Sequence, residues 1–334
     1  MTMNMHSAAE HEAAPFQGFK RILVATDFSP HARAALTQAV WLGRKSGASI
    51  TLAHALPDLR KVVHAASYRA KLDLLYGEGQ DFECEVRRES DARLKRLADG
   101  LNAPEIQVRV ETLLGEPYVE LTHAVLQEGH DLVLAGTSGA TDWQQLLVGS
   151  TARRLIRKCP CTVWIAKDER IEPPNIVLAA TDFSAPSNRA VEQAVWIASL
   201  ASADLHLLHV VDSSDLPRDL AERVPAEGSS LRAMICDEAR ARLDRELAAI
   251  KQRTAVRIHP HLTWGTPWKE IGRLAQHLHA NLVAMGTVGR SGVKGLFLGN
   301  TAEKVLDQCE ASILSVKPAD YVSPIAPASW ALHP

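Results

Sequence analysis

A surplus of positive charge is missing from this chain. Its 37 lysines and arginines stand against 39 aspartates and glutamates, a net charge of −2 over 334 residues, and without a strongly basic face nucleic acid has no electrostatic footprint to bind. Long apolar runs are missing too. The longest are strand-length, far short of the ~20 residues of a membrane span, and Met1 to Gln17 lacks the basic flank and apolar stretch of a signal peptide. A cytoplasmic protein with no membrane partner is expected. Cysteine is sparse: Cys84, Cys159, Cys161, Cys236 and Cys309 are an odd number without framework spacing, which excludes a disulfide scaffold and fits reduced thiols. Cys159-Pro160-Cys161 is neither the usual redox pair nor a zinc knuckle, and reads as two small core residues. There is no Walker loop and no G-x-G-x-x-G fingerprint. Nucleophile elbow, paired carboxylates and a catalytic Cys/His set are also missing, so no catalytic residue is assigned. His54, His209, His259-Pro260-His261 and His277-x-His279 lack a zinc-type cysteine or carboxylate pattern; they read as structural or solvated, and no metal site is assigned.

What the chain does have is length, enough for two domains of roughly 100 to 200 residues with cores of their own. Met1 to Phe19 is polar and aperiodic and reads as a disordered leader. Arg21 to Thr26 is a strand-like apolar run ending in Asp27-Phe28-Ser29-Pro30, where serine suits a helix N-cap and proline the first helical residue. That helix carries Ala35, Ala39, Val40 and Trp41 inward and stops near Gly47. Ser49 to Leu56 is a second strand. Residues 66 to 101 carry Leu72, Leu75, Leu94 and Leu97 at helical spacing and predict one or two amphipathic helices. Ile106 to Leu114 alternates as a strand near a sheet edge does. Glu116-Pro117 opens another helix, residues 131 to 135 form a buried strand, Ser150 to Lys158 a helix, and Cys161 to Ala166 a last strand.

Then the pattern restarts. Residues 176 to 184 echo 22 to 29, Ala194-Val195-Trp196-Ile197 echoes Ala39-Val40-Trp41-Leu42, and Trp264-Gly265-Thr266-Pro267-Trp268 echoes Leu114-Gly115-Glu116-Pro117-Tyr118. A repeat this long is a duplicated domain, since solenoid periods are about 20 to 50 residues. Domain 1 is placed at residues 20–168, a linker at 169–174, domain 2 at 175–318 and a tail at 319–334. Strands alternating with helices predict an α/β fold, two tandem doubly wound five-stranded parallel sheets. In such sheets ligands bind at strand carboxyl ends where the strand order reverses.

The repeated feature with chemistry in it is a glycine loop. Gly136-Thr137-Ser138-Gly139 is followed by nine residues and then Gly149-Ser150-Thr151; Gly286-Thr287-Val288-Gly289 is followed by nine and then Gly299-Asn300-Thr301. Glycines let backbone N–H groups approach a ligand, and amides leading into a helix N-terminus form an anion site for which phosphate is the natural occupant. The alternative is a plain turn with Ser150 capping the next helix. The second loop holds Arg290 and Lys294; the first holds Asp142 and no base, with Arg153 and Arg154 in the following helix as relocated cationic help or as solvated arginines. Asp27 and Asp182, each closing a first strand, are caps or ligand acceptors. The nearby serines suit the cap, leaving the carboxylates for ribose hydroxyls, an adenine amine or a metal.

These residues resemble the universal stress protein family, in particular its tandem E-type members, over about residues 20 to 322. The family's ATP-binding pattern G-2x-G-9x-G-(S/T) is matched by Gly136, Gly139, Gly149 and Ser150, with Asp27 and the strand at 131–136. In domain 2 the run from Gly286 to Glu303 carries the E-type likeness, and Asn300 stands where the pattern has Ser or Thr. The resemblance implies an adenine-nucleotide α-hydrolase-like fold with strand order 3-2-1-4-5 in each half. It also implies an adenine pocket near Ala55 and Val210, and fifth strands at the junction of an intramolecular pseudo-dimer, with further pairing into a homodimer open. It implies ATP as ligand, alone or with Mg2+, at Asp27, Ala55, Gly136, Thr137, Gly139, Gly149, Ser150 and Thr151. The domain 2 counterparts are Asp182, Val210, Gly286, Thr287, Gly289, Arg290, Gly299, Asn300 and Thr301. The expected role is regulatory or protective in stress, with at most slow ATP hydrolysis. A scaffold whose domain 2 takes another ligand or none is the alternative. Related hydrolases carry S-G-G-x-D-S after the first strand; residues 25–29 do not, which argues against pyrophosphatase chemistry.

Overall fold

A computed structural model describes residues 16–57, 82–137, 148–167, 173–212, 230–288 and 298–325. The first half runs β1 (Arg21–Ala25), α1 (Pro30–Ser46), β2 (Ser49–Leu56), α2 (Phe82–Asp99), β3 (Val108–Leu114), α3 (Pro117–Glu128), β4 (Leu132–Gly136), α4 (Ser150–Lys158) and β5 (Thr162–Ala166). The second repeats it as β6 (Ile176–Thr181), α5 (Ala185–Ala201), β7 (Asp204–Val211), α6 (Ser230–Lys251), β8 (Ile258–Trp264), α7 (Pro267–Leu278), β9 (Leu282–Gly286), α8 (Asn300–Gln308) and β10 (Ser312–Val316). Local chemistry explains the first crossover. The Ser29 hydroxyl accepts from the Ala32 N–H at 3.2 Å, Pro30 opens the helix, and Gly47 closes it in the left-handed region at φ 72°. Leu72 and Leu75, called for the amphipathic segment, lie outside the described residues; Leu94 is buried on α2.

The strands form one ten-stranded sheet in the order β3-β2-β1-β4-β5-β10-β9-β6-β7-β8. Each half is parallel, with β3 and β8 at the edges, and the halves meet where β5 and β10 pair antiparallel through Val163, Trp164 and Ile165 against Ser315, Leu314 and Ile313. The order 3-2-1-4-5 thus occurs twice, in mirrored sequence across the seam. Trp164 is 2% exposed there, and helices cover both faces of the sheet over two apolar clusters.

One expectation needs correction here. Phe16 to Phe19 are not a disordered leader: the rings of Phe16 and Phe19 lie 5.5 and 5.4 Å from Trp196 of domain 2, each edge-on. Burying Phe19 and half-burying Phe16 in this way offsets much of the cost of ordering four residues. The tail placed at 319–334 is docked on domain 1 over its described residues, a contact that its composition did not indicate. Tyr321 Oη donates to the Arg157 carbonyl at 2.6 Å and Ser323 Oγ to the Lys158 carbonyl at 2.7 Å, satisfying orphan acceptors at the end of α4.

The seam is held by a reciprocal pair of lysines that follow the fifth strands. Lys167 Nζ donates to the Leu306 and Cys309 carbonyls at the end of α8, at 2.5 and 2.7 Å. Lys317 Nζ donates to the Ile156 and Arg157 carbonyls at the end of α4. Each domain therefore caps the other's last helix. Burial pulls both ammonium groups down to about 8. Replacing Lys317 by methionine leaves the buried Ile156 carbonyl without this donor, at about 1 to 3 kcal/mol, while the Arg157 carbonyl keeps the Tyr321 hydroxyl and the burial of a cation is relieved. A net loss of about 1 kcal/mol in urea unfolding is expected, and an unchanged midpoint would remove the seam role.

Candidate functional site at the strand carboxyl ends

β1 lies between β2 and β4, with Ala25 level with Ala53 and Val24 level with Leu134. Asp27 therefore leaves the sheet level with Ala55 and beside Gly136 and Thr137. This is the point where the strand order reverses, the place at which open α/β sheets offer a crevice. The second half repeats it: Thr181 is level with His209 and Ala179 with Ala284, which brings Asp182, Val210, Gly286 and Thr287 together. Gly139, Gly289 and Arg290 lie outside the described residues.

Each turn after the first strand is drawn tight. Phe28 and Phe183 sit at φ 64° and 61°, a left-handed conformation that bulky side chains rarely adopt. Their rings pack on His54 and His209 at 4.7 and 4.3 Å. Those histidines in turn donate through Nδ1 to the carbonyls of Thr26 and Thr181, at 2.7 and 2.8 Å. His54 and His209 thus hold the turn. The serines cap α1 and α5, as expected, but the aspartates are also engaged in the turn: Asp27 Oδ1 accepts from the Ser29 N–H at 3.0 Å, and Asp182 Oδ1 from the Ser184 N–H at 3.0 Å and its hydroxyl at 2.5 Å. The expectation that capping leaves these carboxylates uncommitted is corrected, because a two-residue spacing lets aspartate close its own turn.

Gly136 is required by close approach. A Cβ there would stand 2.6 Å from the His31 carbonyl carbon and 2.8 Å from the Ala32 nitrogen, both backbone atoms of the first turn of α1. The loop's far end returns to the same place, since Gly149 donates its N–H to the Thr137 carbonyl at 2.5 Å and Gly299 to that of Thr287 at 2.7 Å. Gly149, not Ser150, is the N-cap of α4, and it supplies no side-chain acceptor. The first intrahelical donor is the Arg153 N–H, to the Gly149 carbonyl, so the amides of Ser150, Thr151 and Ala152 have no acceptor within the helix. The plain-turn reading with Ser150 as cap does not describe this helix start. Ser150 and Asn300 are exposed, while Thr151 and Thr301 are half-buried.

Arg153 and Arg154 are both engaged in ion pairs, Arg153 half-buried and Arg154 exposed. Arg153 pairs with Asp307 across the seam at 2.5 Å and donates Nε to the Val148 carbonyl, and Arg154 pairs with Glu116. Sequence reading missed a different pair. Arg93 on α2 lies over the Phe28 ring with its guanidinium carbon 4.0 Å from the ring centre. Glu246 on α6 reaches the corresponding domain 2 turn and accepts from the Thr181 hydroxyl at 3.4 Å. Arg242, which like Arg93 follows an alanine and precedes a buried leucine, lies over the Phe183 ring at 5.7 Å, so both turns carry an arginine and Glu246 is an addition in domain 2. Burial, with the charges of Glu192 and Asp182, pushes the Glu246 carboxyl up to about 7.

The remaining histidines are structural in geometry. His206 Nδ1 lies 2.8 Å from His261 Nε2, His259 stacks on His206 at 4.7 Å, and His279 ends α7 in the left-handed region. Among the described residues no group of His, Cys, Asp and Glu is arranged to hold a metal ion. Two hollows of about 450 and 540 Å3 lie away from the turns, one between α1, α2 and Pro173 and one between α7, α8 and Lys167. It is therefore chemistry at the strand ends, and not cavity size, that marks the site.

The sequence model of the universal stress protein family matches residues 18–167 and again residues 174–317. The chain belongs to the universal stress protein family. It is a tandem member, and membership supports a role in the stress response. Universal stress protein E of Escherichia coli is 29% identical over 218 residues, covering 63% of this chain and 67% of that protein. Universal stress protein E of Photorhabdus laumondii is 26% identical over 321 residues, covering 92% and 98%. Among solved structures, a universal stress protein from Archaeoglobus fulgidus matches with a TM-score of 0.62 at 22% identity, over 91% of this chain and 99% of that one. That likeness speaks for the fold. Among the described residues no helix is long and apolar enough to cross a membrane.

Proposed function

We propose that this universal stress protein binds an adenine nucleotide, ATP or ADP, in domain 1 and uses the bound state in a regulatory or protective role, with at most slow hydrolysis. The observation that carries the reading is the start of α4: three backbone amides without an intrahelical acceptor, a glycine N-cap, two hydroxyl residues and no acid in the first turn. A phosphate chain fits that donor set, helped by the helix dipole. Gly139 and the residues around it would complete the cradle. Asp27 and Ala55 would face the nucleoside; a carboxylate accepts up to about four hydrogen bonds, so the Ser29 bond does not exhaust it. Where Mg2+ accompanies the nucleotide it would neutralise phosphate charge, and Asp27 is a candidate acid to help hold it.

Domain 2 is proposed to bind the same ligand more weakly or to take a different one. Glu303 stands in the first turn of α8, Asn300 replaces the hydroxyl residue, and Glu246 puts a second acid beside Asp182. The two acids disfavour a polyanion, Glu303 less so because it pairs with Arg157, and asparagine offers no hydroxyl.

Titration calorimetry with ATP tests the proposal on the wild type and on Gly149→Asp and Gly299→Asp. The new carboxylate would take the helix amides for itself. The expected result is one dominant site, lost in Gly149→Asp and retained in Gly299→Asp. If the wild type binds no adenine nucleotide below ~1 mM, about 4 kcal/mol of binding, the proposal fails.

A further inference from the structure

The reciprocal lysines at the seam are alike, but what they face is not. In domain 2, Lys167 caps α8 beside Cys309, and the residue two further on is Ala311. In domain 1, Lys317 caps α4 beside Cys159, and the residue two further on is Cys161, whose Sγ lies 3.5 Å from that of Cys159. Capping by lysine therefore works without a second cysteine, and Cys161 is an addition that the fold does not need. Bond formation requires the two sulfurs to close from 3.5 Å to about 2.0 Å, a motion within reach of side-chain rotation. Cys159 ends α4 in an extended conformation, so the pair is not locked in helical backbone.

We propose that Cys159 and Cys161 form a reversible dithiol–disulfide couple oxidised by a hydroperoxide, with Lys317 as the positioning residue for the reacting thiolate. The surroundings assign different parts to the two sulfurs. Burial works against ionising Cys159, but the hydrogen bond from Cys161 and the Lys317 ammonium bring its thiol below the ordinary value. Cys161 is held well above it by giving that hydrogen bond, by burial and by the negative charges of Cys159 and Asp131. Cys161 is also partly exposed, whereas Cys159 is 0% exposed, so a small oxidant has a route in beside it.

The step balances. The Cys159 thiolate attacks the peroxide, an S–O bond forms as O–O breaks, and the departing oxygen leaves as water or alcohol with a proton from solvent. Cys161 Sγ then attacks the sulfenic sulfur: S–S forms, S–O breaks, and a second water leaves with the Cys161 proton. Two thiols lose two electrons and the peroxide gains them. A thiol reductant reverses the change through a mixed disulfide.

The test uses the full reduced chain, treated with hydrogen peroxide, alkylated under denaturing conditions and mapped by mass spectrometry. The expected peptide containing Cys159 and Cys161 carries no alkyl groups, lacks two hydrogens and returns fully with dithiothreitol. Cys309 in the same molecule remains alkylatable. Cys161→Ala, which reproduces the domain 2 arrangement, leaves Cys159 unable to form the bond. Lys317→Gln slows disulfide formation about tenfold through the loss of thiolate, whereas Lys167→Gln, which disturbs the same seam, does not. Both cysteines fully alkylated after peroxide, or linked instead to Cys84 or Cys236, would overturn the couple. Equal rates in the two lysine variants would overturn the part given to Lys317.

Discussion

Replacing Glu246 by glutamine is expected to stabilise the chain by about 3 kcal/mol near pH 8 and to change little near pH 4. The carboxyl is held up at about 7 by burial and by its acidic neighbours, against 4.5 ordinarily. Between those two values the folded chain keeps a proton that the unfolded chain has released. Stability contributed by this group is therefore greatest below about 4.5, falls as pH rises through the window to 7, and stays low above it. Glutamine keeps an acceptor for the Thr181 hydroxyl and cannot ionise, so it escapes the loss. Urea unfolding of both proteins across the window checks this, and parallel pH profiles would refute it. The same substitution removes a negative charge beside Asp182, so any anion bound in domain 2 near pH 8 should bind more tightly to the variant.

Gly136→Ala should destabilise domain 1 by about 3 kcal/mol, near the top of the range for overpacking. The clash is with backbone atoms of His31 and Ala32 and not with a side chain that could swing away. Relief requires α1 to shift from the end of β4, which would also disturb the Asp27–Ser29 turn that leads into α1. Unfolding and ATP titration should therefore worsen together. Gly272→Ala is the control: its Cβ meets nothing within 4 Å, and in a helix alanine is expected to gain up to about 1 kcal/mol. Equal stability of the two variants would show that the close approach carries no energy.

Much of the fold was legible because its signals are local. The Ser29-Pro30 helix start, the apolar run from Leu132 to Gly136 and the edge alternation of β3 each reflect the chemistry of neighbouring residues. The duplication was legible because it repeats those signals. The glycine loop was legible in spacing, but its glycines divide the work in a way that spacing does not reveal. Gly136 is there for contact with α1, and Gly149 for a helix start without a side-chain cap. The arginines after Gly149 misled, because their partners Asp307 and Glu116 lie far away in sequence. Phe16 and Phe19 misled, and the docking of the Tyr321 to Ser323 stretch went unseen, for a similar reason: short polar flanks look detached until a distant helix is seen to receive them.

By itself, then, the sequence determined two α/β units, the turn at Asp27 and the loop at Gly136, each twice, because strand and helix periodicity and turn chemistry are written within a few residues. Only the tertiary structure decided which side chains of the two copies meet. Glu246 at the domain 2 turn, the crossed lysines at the seam and the contact between the Cys159 and Cys161 sulfurs are set that way. Lys317 meets α4 from about 160 residues away in the chain, and such meetings are set by the antiparallel pairing of β5 with β10, which no local pattern in either strand encodes.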